Sequence, residues 1–226
     1  MVKIYADCAD LDSIEWAHEY KAVHGITTNP SLMAKAGIKR YRDFAQTVVG
    51  LTDKPVSFEV LADDLETMDK QARTIADWSP NCYVKIPIVN TQGVSTAKLI
   101  ELLSRDRIKV NVTAILTINQ VRLAARSIAQ WTPAIISIFA GRIADTGVDP
   151  ANHFHAGMSA KHGNTELLWA STRELYNYRQ AMLYGSDIIT MTPDLIRKMG
   201  LFGKDLAQYS IETVTMFYND SKEIEF

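Results

Sequence analysis

The chain has 226 residues, of which 47% are hydrophobic and 22% are charged, and its formal net charge at pH 7 is −2. This length suits one large domain, and the composition is that of an ordinary globular protein with a sizeable core. Lysine and arginine are interspersed with aspartate and glutamate, which excludes the basic stripe of a nucleic-acid-binding protein. An anionic ligand would therefore be captured by a few arginines and not by a global positive field.

The N-terminal residues, MVKIYADCAD, are charged and strand-like, and they lack the apolar centre of a signal peptide. No apolar run in the sequence approaches the length of a membrane span. Cys8 and Cys82 fall in or beside predicted strands and are interpreted as free thiols of a reducing compartment. We therefore expect a cytoplasmic protein with no membrane partner.

Short apolar runs alternate with amphipathic helical segments along the chain. The pattern predicts eight strands, at residues 3–7, 22–25, 56–60, 82–87, 109–113, 134–139, 167–170 and 187–190. Strands that alternate with helices indicate a parallel sheet. An α/β fold of the closed (β/α)8 TIM-barrel type fits this count best. A doubly wound open sheet is the alternative, although no glycine-rich dinucleotide loop follows the first strand.

Two of the intervening helices have a clear apolar face. Thr117 and Gln120 predict a capping box at the start of the second of these helices. The faces comprise Leu65, Met68, Ala72, Ile75 and Ala76 in the first helix, and Val121, Ala124, Ala125 and Ile128 in the second.

The C-terminal stretch, residues 204–218, predicts one more amphipathic helix after the eighth strand. It packs either on a neighbouring subunit or on its own barrel, and the sequence favours neither arrangement. We predict a single barrel domain over residues 1–226, in which residues 203–226 form the C-terminal helix and tail. The apolar face of this helix comprises Leu206, Tyr209, Ile211, Val214 and Phe217.

Five of the predicted strands turn polar on one face near their C-terminal ends. Because alternate residues of a strand share a face, the apolar set should meet the helices and the polar set should point to the barrel axis. The polar set then lies at the C-terminal mouth, where barrel active sites are found. Any one of these residues has an ordinary structural explanation, but six together are costly to bury without partners. The set comprises Asp7, Glu59, Lys85, Asn111, Thr113 and Ser137.

One lysine with two carboxylates supports Schiff-base chemistry. Removal from water disfavours the ammonium form of a lysine, and the free amine can attack a carbonyl to give an iminium electron sink. Asp7 or Glu59 can supply the proton transfer that cleavage of a C–C bond requires. His153 and His155 are interpreted as alternating in a loop, and no strand-end histidine joins the polar set. We therefore predict neither a metal site nor a cofactor.

The chain also resembles a known family, the transaldolases, in particular the short single-barrel members, which include fructose-6-phosphate aldolase. The resemblance runs from Val2 to about Thr192. Lys-Ile-Pro alone would be a weak signal, but the segments together, in this order and spacing, are highly specific. They are residues 25–32 (GITTNPSL), 83–87 (YVKIP), 111–113 (NVT), 139–142 (FAGR) and 170–173 (ASTR).

The resemblance implies catalytic roles for four residues. Lys85 resembles the Schiff-base lysine, and Asp7 resembles the acid–base for the sugar hydroxyl. Glu59 and Thr113 resemble the pair that handles a catalytic water while the Schiff base forms and breaks.

It also implies a set of substrate-binding residues. The donors that orient the dihydroxyacetone unit would be Thr27, Asn29 and Asn111, with Ser137 beside them. The phosphate clamp would be Arg142, Ser171 and Arg173. Guanidinium groups suit phosphate oxygens, and residues at a strand-to-helix turn lie where helix amides favour anions. The resemblance further implies a homo-oligomer, a pentamer or decamer, that acts on sugar phosphates in the pentose phosphate pathway.

Two positions separate transfer from simple cleavage within this family. The aldolase branch resembles a pattern with Gln where this chain has Glu59, and with Tyr where it has Phe139. We therefore predict a transferase, with a fructose-6-phosphate aldolase-type lyase as the alternative. A barrel that only binds sugar phosphates is a third reading, but binding alone needs no nucleophile.

Several segments depart from the family pattern near the phosphate end. Trp169 stands where a small aliphatic residue is common, and Met191-Thr192-Pro193 replaces a more usual Val-Pro. Residues 153–165 and 200–226 are also unlike the short transaldolases. These changes keep open a sulfonated sugar as substrate in place of a phosphorylated one.

Overall fold

The computed structural model describes residues 1–225, and the chain divides into two compact units with the boundary between Ile196 and Arg197. Within the described residues, eight parallel strands pair in chain order and the last pairs with the first, which closes the barrel. The predicted TIM barrel is therefore confirmed, and the open sheet is not observed in this part of the chain. The strands are β1 Lys3–Asp7, β2 Val23–Thr27, β3 Val56–Glu59, β4 Cys82–Pro87, β5 Val110–Ile115, β6 Ala134–Ile138, β7 Thr165–Trp169 and β8 Ile188–Met191.

Helices connect the strands, and those of the first unit pack their apolar faces on the barrel. The helix after β5 begins with the predicted capping box, in which the Thr117 hydroxyl accepts from the Gln120 amide and the Gln120 side chain accepts from the Thr117 amide. The helices are α1 Leu11–Glu19, α2 Pro30–Lys35, α3 Tyr41–Leu51, α4 Leu65–Ala76, α5 Ala97–Arg105, α6 Ile118–Ser127, α7 Ala140–Ala144, α8 Ala151–Ala160, α9 Tyr176–Leu183, α10 Pro193–Arg197 and α11 Leu206–Asp220.

The inside of the barrel is apolar in its middle layer and becomes polar toward the C-terminal ends of the strands. Tyr5 packs in a buried cluster with Ile135 and Leu168, and these residues alternate with polar residues nearer the strand ends. The Tyr5 ring lies over Gly25, where an added Cβ would come within 2.5 Å of the ring. Because this apolar cluster fills the middle of the barrel, a polar site can form at the C-terminal ends of the strands.

The structure differs from the sequence-based expectation at some boundaries. β2 continues to Thr27, beyond the predicted end at residue 25, because Ile26 and Thr27 pair with both neighbouring strands, β1 and β3. His153 and His155 lie in helix α8 and not in a loop. That helix buries Phe154 and Gly157 on one side. This helical pattern was not predicted from the sequence, because the alternation of the two histidines was considered alone.

The second unit contains the predicted C-terminal helix. α11 begins at its N-cap Asp205, whose side chain accepts from the Gln208 amide, and a short 3₁₀ turn over Ser221–Glu223 follows it. The apolar side chains of α11 are exposed, among them Leu206 and Val214. None of the helices formed by residues 1–225 combines the length and the apolar character that crossing a membrane requires.

Candidate active site

A cavity of about 380 Å³ opens at the C-terminal ends of the strands. Eleven of the twelve sequence-predicted site residues line it, and Arg173 is the exception. The strand alternation thus brings together residues that are far apart in sequence. The predicted residues in the lining are Asp7, Thr27, Asn29, Glu59, Lys85, Asn111, Thr113, Ser137, Phe139, Arg142 and Ser171.

Lys85 lies at the centre of this cavity and is almost completely buried, with 6% of its surface exposed. In the sheet, Lys85 pairs with Glu59 on the neighbouring strand β3. The Lys85 Nζ lies 3.0 Å from Glu59 Oε2 and donates to the Thr28 carbonyl at 2.7 Å. A buried ammonium needs such partners, and a carboxylate at this distance can also receive a proton from the amine.

Asp7, at the end of β1, is the second carboxylate of the cavity. Its Oδ1 accepts from Thr27 Oγ1 at 2.9 Å and from Asn29 Nδ2 at 3.4 Å. Burial raises the pKa of Asp7 above its usual value, while the charge of Lys85 and the two hydrogen bonds act in the opposite direction. A carboxylate whose pKa lies above its usual value is a stronger base, which suits proton exchange.

Thr190 is a cavity residue that the sequence analysis did not identify. It lies on β8, is 6% exposed, and its Oγ1 is 2.5 Å from Thr27 Oγ1. Because Thr27 donates to Asp7, the hydroxyl of Thr190 completes a chain of hydrogen bonds that ends on the carboxylate. The strand pattern could have found it, since Thr190 shares the inward face with Ile188, which lies in the barrel core.

A second hydrogen-bonded group connects three strands. Asn111 on β5 is fully buried, donates to Ser57 Oγ at 3.0 Å and accepts from Ser137 Oγ at 2.6 Å. These bonds fix the orientation of the Asn111 amide. By contrast, the Oγ1 of Thr113 is buried without a hydrogen-bond partner among the described residues. That hydroxyl is therefore free to bind a water or a substrate atom.

The backbone just after Thr113 is irregular. Ala114 has a φ of 58°, and the pairing of β5 with β6 shifts its register between Val112 and Ile115. A left-handed conformation is unfavourable for alanine, and such strain is concentrated at functional sites. The bulge changes the direction of the strand where it meets the cavity.

Arg142 and Ser171 form the cationic side of the cavity. The Arg142 guanidinium lies over the Phe139 ring, 5.3 Å from its centroid. Ser171 has a φ of 64°, and its carbonyl lies so close to Gly141 that an added Cβ would be 1.6 Å from the oxygen. The loops after β6 and β7 are therefore locked together at this edge.

Arg173 does not join them. Its guanidinium is paired with Asp145, with Nη2 2.5 Å from Oδ2, and both side chains are about half exposed. The predicted phosphate clamp thus has two members in the cavity lining and a third held by a carboxylate.

Other reactive groups lie away from the cavity. Cys8 and Cys82 are free and buried, and burial raises the pKa of their thiols to about 12 and about 11. Residues 1–225 contain no group of three or more His, Cys, Asp or Glu side chains that could hold a metal ion.

The fold and the cavity define a (β/α)8-barrel enzyme with one buried lysine and two carboxylates in a cavity at the C-terminal ends of the strands. Comparison with known proteins makes this class specific. The chain belongs to the transaldolase/fructose-6-phosphate aldolase family, whose family model matches residues 4–226.

Curated relatives are similar over most of their length. A probable transaldolase of Thermoanaerobacter sp. (strain X514) is 35% identical over 204 residues, which cover 88% of this chain and 89% of the relative. A probable transaldolase of Roseiflexus sp. (strain RS-1) is 38% identical, over 84% of this chain and 85% of the relative. Another, of Methanococcus maripaludis (strain C7 / ATCC BAA-1331), is 35% identical over 93% of this chain and 94% of the relative.

Proposed function

We propose that this chain is a transaldolase that moves a dihydroxyacetone unit from a ketose phosphate to an aldose phosphate through a Schiff base on Lys85. The observation that carries the proposal is the position of Lys85 Nζ, buried in the cavity and 3.0 Å from Glu59. Membership of the family and the names of the relatives support the same activity. The reaction needs no cofactor, because the lysine itself supplies the electron sink.

Lys85 attacks the carbonyl carbon of the ketose, and Glu59 accepts the proton that the amine loses. Glu59 returns this proton to the hydroxyl of the resulting carbinolamine, which leaves as water and gives an iminium ion. The unpartnered hydroxyl of Thr113 holds the water that leaves here and returns at hydrolysis. Removal of the proton from the sugar hydroxyl beside the scissile bond by Asp7 lets that C–C bond break, and the electron pair enters the iminium to form an enamine.

The enamine then attacks the carbonyl of the acceptor aldose, and the same steps run in reverse. Asn29 and Asn111 donate to the hydroxyl groups of the three-carbon unit, with Ser137 fixing Asn111 through its own hydrogen bond. Thr27, whose hydroxyl hydrogen goes to Asp7, lies beside them as an acceptor. Arg142 binds the terminal phosphate together with Ser171. Arg173 joins them when the phosphate replaces Asp145 as its partner, a role that a sulfonate could also fill.

Glu59 and Phe139 favour transfer over cleavage to free dihydroxyacetone. Glu59 takes and returns protons beside Lys85, which an amide cannot do. The Phe139 ring lies under Arg142 and packs against the buried cluster, so it offers an apolar wall at this side of the cavity. An apolar wall limits the access of water to the enamine, which then survives until an acceptor arrives.

We further propose that the enzyme is a homo-oligomer, a pentamer or a decamer by resemblance to its family, and that it acts in the pentose phosphate pathway. The buried, free thiols are consistent with our proposal of a cytoplasmic location.

Borohydride trapping tests the Schiff base directly. Reduction in the presence of fructose 6-phosphate should add a sugar-derived mass to the peptide that contains Lys85, as read by mass spectrometry. Lys85→Ala should abolish this adduct and lower turnover on the order of a thousandfold or more. Lys109→Ala, at a partly exposed lysine that directly precedes β5 and lies outside the cavity lining, is the matched control. Normal turnover by Lys85→Ala would overturn the assignment.

Phe139→Tyr tests the choice between transfer and cleavage. The added hydroxyl should bring water or a proton to the enamine, so that free dihydroxyacetone accumulates at the expense of transferred product. The measurement is the ratio of the two products from fructose 6-phosphate, with and without an aldose phosphate acceptor. Phe139→Leu, which keeps the wall apolar, is the control. A wild-type enzyme that already releases mainly dihydroxyacetone would establish the lyase instead.

A further inference from the structure

A second cavity, of about 410 Å³, lies beside the first and shares Arg142 with it. It lies between the start of α6, helix α7 and helix α8. Its apolar walls include Ile143 and Val148, and its polar groups include Thr117, Asn119 and His153. The lining contains no aspartate or glutamate among residues 1–225. The proposed mechanism does not use this space.

The N-terminus of α6 opens into this cavity. The capping box satisfies the amides of Thr117 and Gln120 with side-chain oxygens. The amides of Ile118 and Asn119, between them, have no acceptor within the helix. The helix is ten residues long, and its dipole places a partial positive charge at this end. An anion is the ligand that such a terminus attracts.

His153 is an independent observation that points to a ligand. The side chain lines the cavity, yet the residue is only 8% exposed. Its Nδ1 is buried and has no hydrogen-bond partner among the described residues. Buried ring nitrogens are normally paired, because an unpaired one loses its hydration without compensation. A ligand that can exchange hydrogen bonds with the imidazole would remove this cost.

The charges around the cavity also favour an anion. The guanidinium of Arg142 borders the cavity, and its five donors are more than one phosphate group uses. The hydrogen bond from Arg173 lowers the pKa of Asp145, and the charges of Arg173 and then Arg142 add to this effect. The carboxylate nearest to Arg142 in these contacts is therefore already neutralised.

We propose that this cavity is a second binding site, for a tetrahedral oxyanion such as a phosphate or a sulfonate, on the far side of Arg142 from Lys85. The oxyanion is either the terminal group of a long sugar substrate or a free phosphate ion. The site does not depend on the proposed reaction, because inorganic phosphate alone can occupy it. With Arg142 common to both cavities, occupation of one alters binding in the other.

The test is the binding of inorganic phosphate to the full-length protein, measured by calorimetry. Asn119→Asp places a negative charge inside the cavity, at a helix position where aspartate favours the helix and preserves the fold. Asn152→Asp makes the same change at the same position of α8, whose Asn152 lines a different groove. Asn119→Asp should weaken phosphate binding at one site about tenfold, and Asn152→Asp should leave it unchanged.

A second variant fills the cavity instead of changing its charge. Val148 is about half exposed, so Val148→Trp can fill the cavity without disturbing the core, and it should remove the same binding event. Equal phosphate binding by Asn119→Asp, Val148→Trp and the wild type, or absence of phosphate binding to the wild type, would overturn the proposal.

Steady-state kinetics then identify the source of the oxyanion. If Asn119→Asp has a higher KM for a phosphorylated donor at constant kcat, the oxyanion bound in the second cavity is the terminal group of the sugar. Weaker phosphate binding with an unchanged KM identifies a free phosphate ion. Both results support the site, and neither depends on whether the enzyme transfers or only cleaves.

Discussion

At the scale of single residues, Arg173 stands apart from the other predicted site residues because Asp145 already holds its guanidinium. Both side chains are about half exposed, so solvent screens the pair and it contributes little to the stability of the fold. A phosphate dianion offers more charge and more acceptors than one carboxylate, and it can therefore displace Asp145. Under the proposed function, the pair holds Arg173 beside Gly141 until the phosphate of the substrate binds.

Thr190 carries a prediction at the same scale. Thr27 donates to Asp7, so the Thr190 hydroxyl must donate to Thr27, and such chains polarise each other. Thr190→Val weakens the bond to the carboxylate, which raises the pKa of Asp7 further. A base acts in its ionised form, so the acidic limb of the pH–rate profile should move to higher pH. About half a pH unit is expected from one weakened hydrogen bond.

The control is Thr190→Ser, which keeps the hydroxyl. The acidic limb of its pH profile of kcat/KM should lie at the same pH as in the wild type. A purely structural role of Thr190 predicts something different. In that case Thr190→Val would lower the melting temperature, and the limb would stay in place.

At the scale of elements, the contact between the loops after β6 and β7 fixes the position of Arg142 and Ser171 at the edge of the cavity. Gly141→Ala would place a Cβ 1.6 Å from the Ser171 carbonyl, so α7 and Arg142 must move. We expect a loss of about 1–3 kcal/mol in the free energy of unfolding and a higher KM for phosphorylated donors. Calorimetric unfolding and steady-state kinetics measure the two effects.

The matched substitution is Gly50→Ala in α3, where an added Cβ meets no atom within 4 Å. That change should stabilise the protein by about 0.5–1 kcal/mol, because alanine favours the helix. If Gly141→Ala behaved like Gly50→Ala, the two loops would not be locked at this point.

The sequence predicts the elements well where a simple period determines them. Strand alternation placed Lys85, Glu59 and Asp7 on one side of the barrel, and the capping box of α6 followed from Thr117 and Gln120. These features depend on neighbours along the chain, so the local sequence determines them.

Features that depend on distant partners were not predictable in this way. The pairing of Arg173 with Asp145 joins two different loops, and the left-handed backbone at Ser171 is maintained by its contact with Gly141. Thr190 follows the strand alternation, but its hydrogen bond with Thr27 exists only because β8 closes on β1. The roles proposed for the site residues, and the single domain over residues 1–226, remain predictions.

At the scale of the whole molecule, the exposed apolar side chains of α11 favour an assembly of several copies. Leu206 is 79% exposed and Val214 is 62% exposed. Apolar side chains grouped on one helix face and open to water mark an interface with another chain more often than an ordinary surface. We therefore expect this face to be buried when copies of the chain associate.

Charging this face should separate the subunits. The double variant Leu206→Glu, Val214→Glu places two carboxylates where an interface would bury them, and burial of an unpaired charge is costly. Because both side chains are exposed within the chain, the fold should persist. The control Gln208→Glu, Thr215→Glu adds the same charge to the opposite, polar face of α11. Light scattering after gel filtration should give a smaller particle for the first variant only, and an unchanged mass would mean that α11 does not hold the assembly together.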